Sequence, residues 1–195
     1  MATQPIALFT PEQYLEFDRA SDVPHEYISG EIVPMQGATP WHSLIAANTG
    51  SVLRTLVSPL GCRVFESSLR VCVNRATTYA HPDVTLICGE LTYMDSPKET
   101  VTNPCLVVEV LSPSTRDYDL GQKLRQYWSI ASLTDILLIE QERVWIEYWF
   151  RAPGGEWSKR VFESLSDTVH VASRACDIPV AEIYAGVEFP VEAQP

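Results

Sequence analysis

Two carboxylates in this chain stand where carboxylates are destabilising. Glu109 interrupts the apolar run LVVEVLSPST (106–115), and Asp83 opens HPDVTLIC (81–88) after a histidine and a proline. An ionised carboxylate removed from water costs several kcal/mol or so unless it is paired, protonated or bound to a metal. Strand parity puts Asp83 on one face with Thr85 and Ile87, and Glu109 on one face with Val107 and Leu111, so each acid breaks an inward-looking row. If the two strands are neighbours, the acids can converge on one Mg²⁺, a cation that uses one or two carboxylates and fills its remaining positions with water and phosphate. The competing reading is a buried ion pair with Arg70, Arg116 or Arg125. The chain has three lysines, Lys98, Lys123 and Lys159, and only Lys123 is well placed for this chemistry, on the segment directly after the Glu109 strand. At 100° per residue it lies at the edge of a Leu120/Leu124/Tyr127 stripe, so its stem can follow the core while its ammonium orients a water or offsets charge on a phosphate.

The elements that must position these groups follow from local signals. Thr10-Pro11-Glu12 is an N-cap, a first-turn proline and an early acid, which predicts a short helix to about Ala20. HEYISGEIVPM (25–35) reads as one strand containing a glycine. Residues 42–57 read as a helix with His42, Ile45, Thr49, Val52, Leu53 and Leu56 on its inner face. CRVF, SLRVCV, HPDVTLIC and PCLVVEVL read as strands, the last two too continuously apolar for a sheet with one wet face. A helix is expected over about 117–130, then an antiparallel meander of TDILLIE, RVWIEYWF and WSKRVF, and an irregular GVEFPVEAQP tail. This order predicts an α/β (α+β) fold in which a mixed β-sheet is flanked by helices, as one domain over 1–195 with its core at about 10–184.

With 46% hydrophobic residues the chain can bury one substantial core. The net charge of −11 argues against simple capture of a polyanion by a basic surface, though not against an acidic site whose bound cations supply the positive field. No segment reaches the roughly 20 apolar residues of a membrane span, and the N-terminus lacks a basic start followed by an apolar run. Five cysteines without CxxC spacing suggest buried reduced thiols in the cytoplasm.

Other candidates carry bland alternatives. Glu26 shares parity with Ile28 and Ile32, and Glu31 with Tyr27, Val33 and Met35. Either can complete an acidic site, and Glu26 is favoured. His42, on the inner face of a helix start where the dipole disfavours its charged form, is given at most an accessory role. Ser112, Ser114 and Thr115 read as helix caps before phosphate contacts, and Trp145 and Trp149 as core or dimer interface before base stacking.

HPDV, followed 26 residues later by VVEVLSPST and then DLGQKLRQY, resembles the "putative restriction endonuclease" domain family, a branch of the PD-(D/E)XK nuclease superfamily. YISGEIVPM with Glu26 before it, and His42 at a helix start, resemble that family's N-terminal pattern, so the likeness spans about Thr10 to Tyr184. It implies a restriction-endonuclease-like fold and a Mg²⁺-dependent endonuclease, with Mn²⁺ as a substitute and DNA as substrate. Asp83 and Glu109 would be the metal ligands, Glu26 the acid of the N-terminal region and Lys123 the catalytic lysine. The chain departs from the superfamily motif at 111, where a lysine is expected two residues after the acid and Leu111 stands. Lys123 is read as its relocated equivalent. TDILLIE also departs from the acid, aromatic pair and closing Asp usual in the family. By analogy the protein would work as a homodimer, without a membrane partner. The rival from another class is a non-catalytic interaction module retaining the fold, which the acidic balance favours; a carboxylate-pair glycosidase has nothing else to support it.

Overall fold

A computed structural model describes residues 8–35 and 37–189. Helix α1 (Pro11–Ala20) begins with a full capping box: Thr10 accepts the Gln13 N–H, and the Gln13 side chain accepts the Thr10 N–H. The segment read as a single strand is a hairpin, β1 (His25–Ile28) and β2 (Glu31–Pro34). Its two turn residues, Ser29 and Gly30, have φ of 49° and 98°, the left-handed pair that a tight hairpin turn requires. That turn changes the parity, since Glu26 pairs with Val33 and Ile28 with Glu31. Glu26 and Glu31 therefore share a face, contrary to the expectation.

Helix α2 (Pro40–Val57) starts two residues earlier than expected, with Thr39 as its cap. Then come β3 (Cys62–Glu66), β4 (Arg70–Asn74), β5 (Thr78–Ala80), β6 (Val84–Cys88), β7 (Thr100–Val101) and β8 (Leu106–Leu111). The expected 117–130 helix is shorter and irregular: α3 (Arg116–Tyr118), a π turn (Asp119–Lys123) and α4 (Leu124–Tyr127). The meander β9 (Asp135–Glu140), β10 (Ile146–Arg151) and β11 (Trp157–Phe162) is antiparallel as expected. A small hairpin of β12 (Thr168–Val171) and β13 (Cys176–Pro179) and the short helix α5 (Val180–Ile183) follow; these, with β5 and β7, are too short to show a period. Residues 186–189 of the expected irregular tail form no element, and 190–195 lie outside the described residues.

The strands form a six-stranded sheet, β11-β10-β9-β8-β6-β3, and a five-stranded sheet, β2-β1-β5-β4-β7. The larger sheet is mixed, because β8 and β9 are parallel and joined by the helical crossover 116–127 while the other pairs are antiparallel. All six residues of β8 are buried, and its side chains alternate between two cores. Leu106, Val108 and Val110 meet Ile45, Leu53 and Val57 of α2. Val107 and Leu111 meet Leu124 and Tyr127 of the crossover and Val71 and Val73 of the smaller sheet. Each fully buried aliphatic side chain stabilises by about 1.5–3 kcal/mol, so the middle of β8 is held rigidly from both sides. Glu109 projects into the second core.

The cysteine expectation is corrected in part. The β3/β6 register sets Cys62 opposite Cys88, and the two form a disulfide, while Cys72, Cys105 and Cys176 are free and buried. Sequence separation carries no trace of a pairing that strand register creates. Among the described residues no helix is long and apolar enough to cross a membrane.

Candidate active site

The neighbouring of the two acid-bearing strands is met. β6 and β8 pair antiparallel with Val84 opposite Val108, and one step further along the ladder sets Asp83 opposite Glu109. Asp83 lies just before β6, where its Oδ2 accepts the Val110 N–H at 2.7 Å and stands 3.4 Å from His42 Nε2. Glu109 is 5% exposed. Its Oε1 receives the Lys123 ammonium at 2.8 Å and the Tyr127 hydroxyl. Among the described residues, Asp83 Oδ1 and Glu109 Oε2 take no hydrogen bond, so each acid keeps one uncommitted oxygen.

Lys123 lies deeper than an edge position. It is 6% exposed and reaches Glu26 at 3.0 Å and Asp119 at 3.6 Å besides Glu109. The cause is the π turn. Leu124 N–H bonds to Asp119 O, five residues back, which widens the turn and keeps Lys123 on the Asp119 face instead of rotating it outward. Asp119, Lys123, Leu124 and Tyr127 form the buried stripe, and Leu120 is only half-buried.

Glu26 comes from the smaller sheet, and its Oε1 also accepts the His81 N–H at 3.3 Å. The His81-Pro82-Asp83 step thus ties the two sheets together, its first residue holding one acid and its last supplying another. Glu31 lies on the same face but on the outer strand next to the turn, where it is exposed, so the geometry brings Glu26, not Glu31, to the lysine. The arginines of the ion-pair reading are committed elsewhere or turned outward. Arg70 faces Asp18 and Glu99, Arg116 binds Glu140 at 2.5 Å, and Arg125 is exposed.

The electrostatics show which charge is in short supply. Burial pushes the Glu109 carboxyl well above its ordinary range; Lys123 opposes this, while Asp119, Asp83 and Glu26 add to it. Burial likewise raises Asp119, against Lys123. Burial works against the Lys123 ammonium, but Glu109, Glu26 and Asp119 overcome it and hold the group protonated. Burial also disfavours a charged His42, yet the hydrogen bond and charge of Asp83 outweigh it and leave this histidine above its ordinary value. The helix dipole is therefore not what decides His42. Four carboxylates feel one another around one lysine.

This donor set fits a hard divalent cation. Among the described residues no three acidic, histidine or cysteine groups are close enough to cage a metal by themselves. Two carboxylates with free oxygens on ladder-opposed residues match an ion that leaves its other positions to water and phosphate. On the same sheet face the fully buried Thr85 hydroxyl has no partner, a further polar group without a protein ligand. A cleft of about 230 Å³ opens onto His42 and Asp83. Small residues of α2, Ser43, Ala46, Ala47 and Gly50, line one wall, and Glu66 and Ser67 lie opposite.

Sequence reasoning missed Asp119 and Tyr127. Asp119 is four residues before Lys123, a helical spacing that was open to reading, whereas Tyr127 was assigned to the apolar stripe and its hydroxyl overlooked. The capping expectation is met only in part: Ser112 accepts the Thr115 N–H and meets the Ser114 and Thr115 hydroxyls in the turn before α3, but Thr115, at the cap itself, makes no side-chain capping bond. Trp145 is buried under the Arg116 and Arg143 guanidiniums, and Trp149 packs on Trp128, in keeping with a core role.

Residues 11–177, which contain every one of these groups, match the Uma2 family model, described as "Putative restriction endonuclease". The chain belongs to the Uma2 family. Among similar proteins, "Uncharacterized protein slr1290" of Synechocystis is 31% identical over 185 residues, 95% of this chain and 96% of that protein. "Uncharacterized protein sll1609" of the same organism is 31% identical over 150 residues, 77% and 85% of the two chains. A crystal structure from Anabaena variabilis, described as a putative nuclease belonging to DUF820, superposes with a TM-score of 0.74 over 93% of this chain and 98% of that one. At 19% identity that likeness establishes the shared fold, the mixed restriction-endonuclease-like sheet flanked by helices.

Proposed function

We propose that this Uma2 protein is a Mg²⁺-dependent endonuclease that hydrolyses phosphodiester bonds of DNA, with Mn²⁺ able to substitute. The observation that carries the reading is the placement of Asp83 and Glu109 across the β6/β8 ladder, each with a free oxygen, beside a buried lysine outnumbered by acids. The family description supports DNA as the substrate. A bound Mg²⁺ would polarise the phosphodiester and lower the pKa of a bound water. Asp83 Oδ1 and Glu109 Oε2 are the protein oxygens that would hold it. Lys123 is a fixed positive charge beside the reacting phosphate, its ammonium kept protonated and aimed by Glu26 and Asp119. His42 steadies Asp83 from the α2 side. Cutting both strands of a duplex takes two such sites, for which a homodimer is the simplest arrangement.

Nicking of supercoiled plasmid tests the reading. Wild type should nick in Mg²⁺ or Mn²⁺ and be silent in EDTA, and Asp83→Asn and Glu109→Gln should be silent throughout. Folded wild-type protein that cuts no DNA with either metal would favour the non-catalytic module. Undiminished nicking by either variant would remove these acids from the site.

A further inference from the structure

We propose that Tyr127 is the positioning residue of this site: its hydroxyl, together with the Lys123 ammonium, takes Glu109 Oε1 and thereby leaves Oε2 to the cation. The proposal rests on the metal reading given above.

A buried tyrosine hydroxyl needs an acceptor, and a core tyrosine bonded to whatever lies nearest is the plain alternative. Three observations favour more than that. The acceptor is, with Asp119, one of the two most buried acids of the site, and it stands on a strand whose side chains are fixed by two cores. Both donors converge on one oxygen, Lys123 Nζ at 2.8 Å and the Tyr127 hydroxyl, and among the described residues no hydrogen bond goes to the other oxygen. Tyr127 itself is fully buried among Leu124, Ile130, Leu133 and Leu138, so its hydroxyl cannot swing to follow a rotating carboxylate. A carboxylate bonded evenly through both oxygens would have a lone pair engaged on each. One held twice at Oε1 has its torsion set and both lone pairs of Oε2 open. Such groups behind a metal ligand commonly account for 10–100-fold in affinity. Tyr118, half-buried on the neighbouring turn and near enough to feel Glu26, Glu109 and Asp119, has among the described residues no hydrogen bond to a site acid and supplies the control.

Calorimetric titration of Mn²⁺ into Tyr127→Phe, Tyr118→Phe and wild type, with melting temperatures taken alongside, tests the proposal without requiring turnover. The phenylalanine fills the same space and removes only the donor. Tyr127→Phe is expected to bind Mn²⁺ about 10-fold or more weakly, whereas Tyr118→Phe binds as wild type does. In plasmid nicking the Tyr127→Phe loss should be large at limiting Mn²⁺ and mostly recovered at saturation, a dependence that general loosening of the core would not give. Equal affinity in Tyr127→Phe and a metal-binding wild type would overturn the positioning role and leave the metal reading standing. A wild type that binds no Mn²⁺ would overturn both. Should Tyr127→Phe fail to fold, a wild-type crystal soaked in Mn²⁺ decides. Metal on Oε2 with the Tyr127 hydroxyl still on Oε1 is the expected result, and metal on Oε1 with that hydroxyl displaced would refute it.

Discussion

Two buried clusters of charge lie on either side of Glu26, and they are composed in opposite ways. Around Asp18, at the end of α1, stand His25 at 3.4 Å, Arg70 at 3.5 Å and His81 at 3.9 Å, so one carboxylate is met by an arginine and two imidazoles. Burial lowers the His81 pKa below the ordinary histidine value, which eases the crowding of positive charge. Around Lys123 the count is reversed, with Glu109, Glu26 and Asp119 facing a single ammonium and Asp83 close behind. A cluster whose task is to hold elements together settles near electrical balance. One that carries excess negative charge is relieved either by protonation, toward which burial already pushes Glu109 and Asp119, or by added positive charge, which the proposed divalent cation would bring. Uncommitted oxygens on Asp83 and Glu109 mark where it would sit.

The largest effect should come from Lys123. Lys123→Ala is expected to cut Mn²⁺-supported nicking by about 10²-fold or more, as loss of an electrostatic stabiliser does, while calorimetry still finds Mn²⁺ bound. It also strands the buried Glu109 and Asp119 and the half-buried Glu26, so its melting temperature in EDTA should fall and should recover in part when Mn²⁺ is added. Wild-type-like nicking would take Lys123 out of the chemistry.

Next in size is the contrast between the clusters. Asp18→Asn removes the one charge that Arg70, His25 and His81 share and should destabilise by on the order of 3 kcal/mol, roughly 6–12 °C in melting temperature for a chain of this length. Glu109→Gln should change stability by less than about 1 kcal/mol, because Lys123 keeps Glu26 and Asp119 and the cluster loses a repelling charge. A larger loss for Glu109→Gln than for Asp18→Asn would erase the distinction between a balanced and an unbalanced cluster.

Adding Leu111→Lys to Lys123→Ala should restore a fraction of the nicking. Residue 111 faces the same side as Glu109 and Val107, but Leu111 is 1% exposed in the second core, and replacing it forfeits about 1–3 kcal/mol of burial. Recovery is therefore partial, read as nicking rate per folded molecule.

The smallest effect concerns an aspartate treated in the opposite way from Asp119. Burial would raise Asp95, but the Thr100 hydroxyl, the Thr100 and Glu99 N–H groups and Arg70 outweigh it and hold it below the ordinary value. A depressed folded pKa adds stability that is complete above the unfolded value of about 3.9 and lost as pH falls below it. Melting curves from pH 5 to 2 should fall less steeply for Asp95→Asn than for wild type, by under about 1 kcal/mol. An identical slope would show that this clasp contributes nothing.

What the sequence made legible was whatever a local period or cap could encode. The capping box at Thr10, the continuous apolar runs of β6 and β8 and the meander are of that kind, and with the family pattern they led to Asp83, Glu109, Glu26 and Lys123. Parity within a single strand located Glu109 correctly but failed for Glu31, because Ser29-Gly30 is a hairpin turn whose dipeptide signal was read as a glycine inside a strand. A straight α-helix placed Lys123 at the edge of its stripe, and a π turn, which leaves no mark in residue spacing, moved it inside. Tyr127 looked apolar because its ring is, and helical spacing carries no sign of where the terminal hydroxyl ends. The Cys62–Cys88 link arises from strand register alone.

Calorimetric titration of Mn²⁺ into wild type, Asp83→Asn and Glu109→Gln bears most directly on the claim that this cluster is built one cation short. Saturable binding to wild type is predicted, with binding lost in both variants while their melting temperatures stay near that of wild type. No binding to folded wild type, or undiminished binding in both variants, would contradict it.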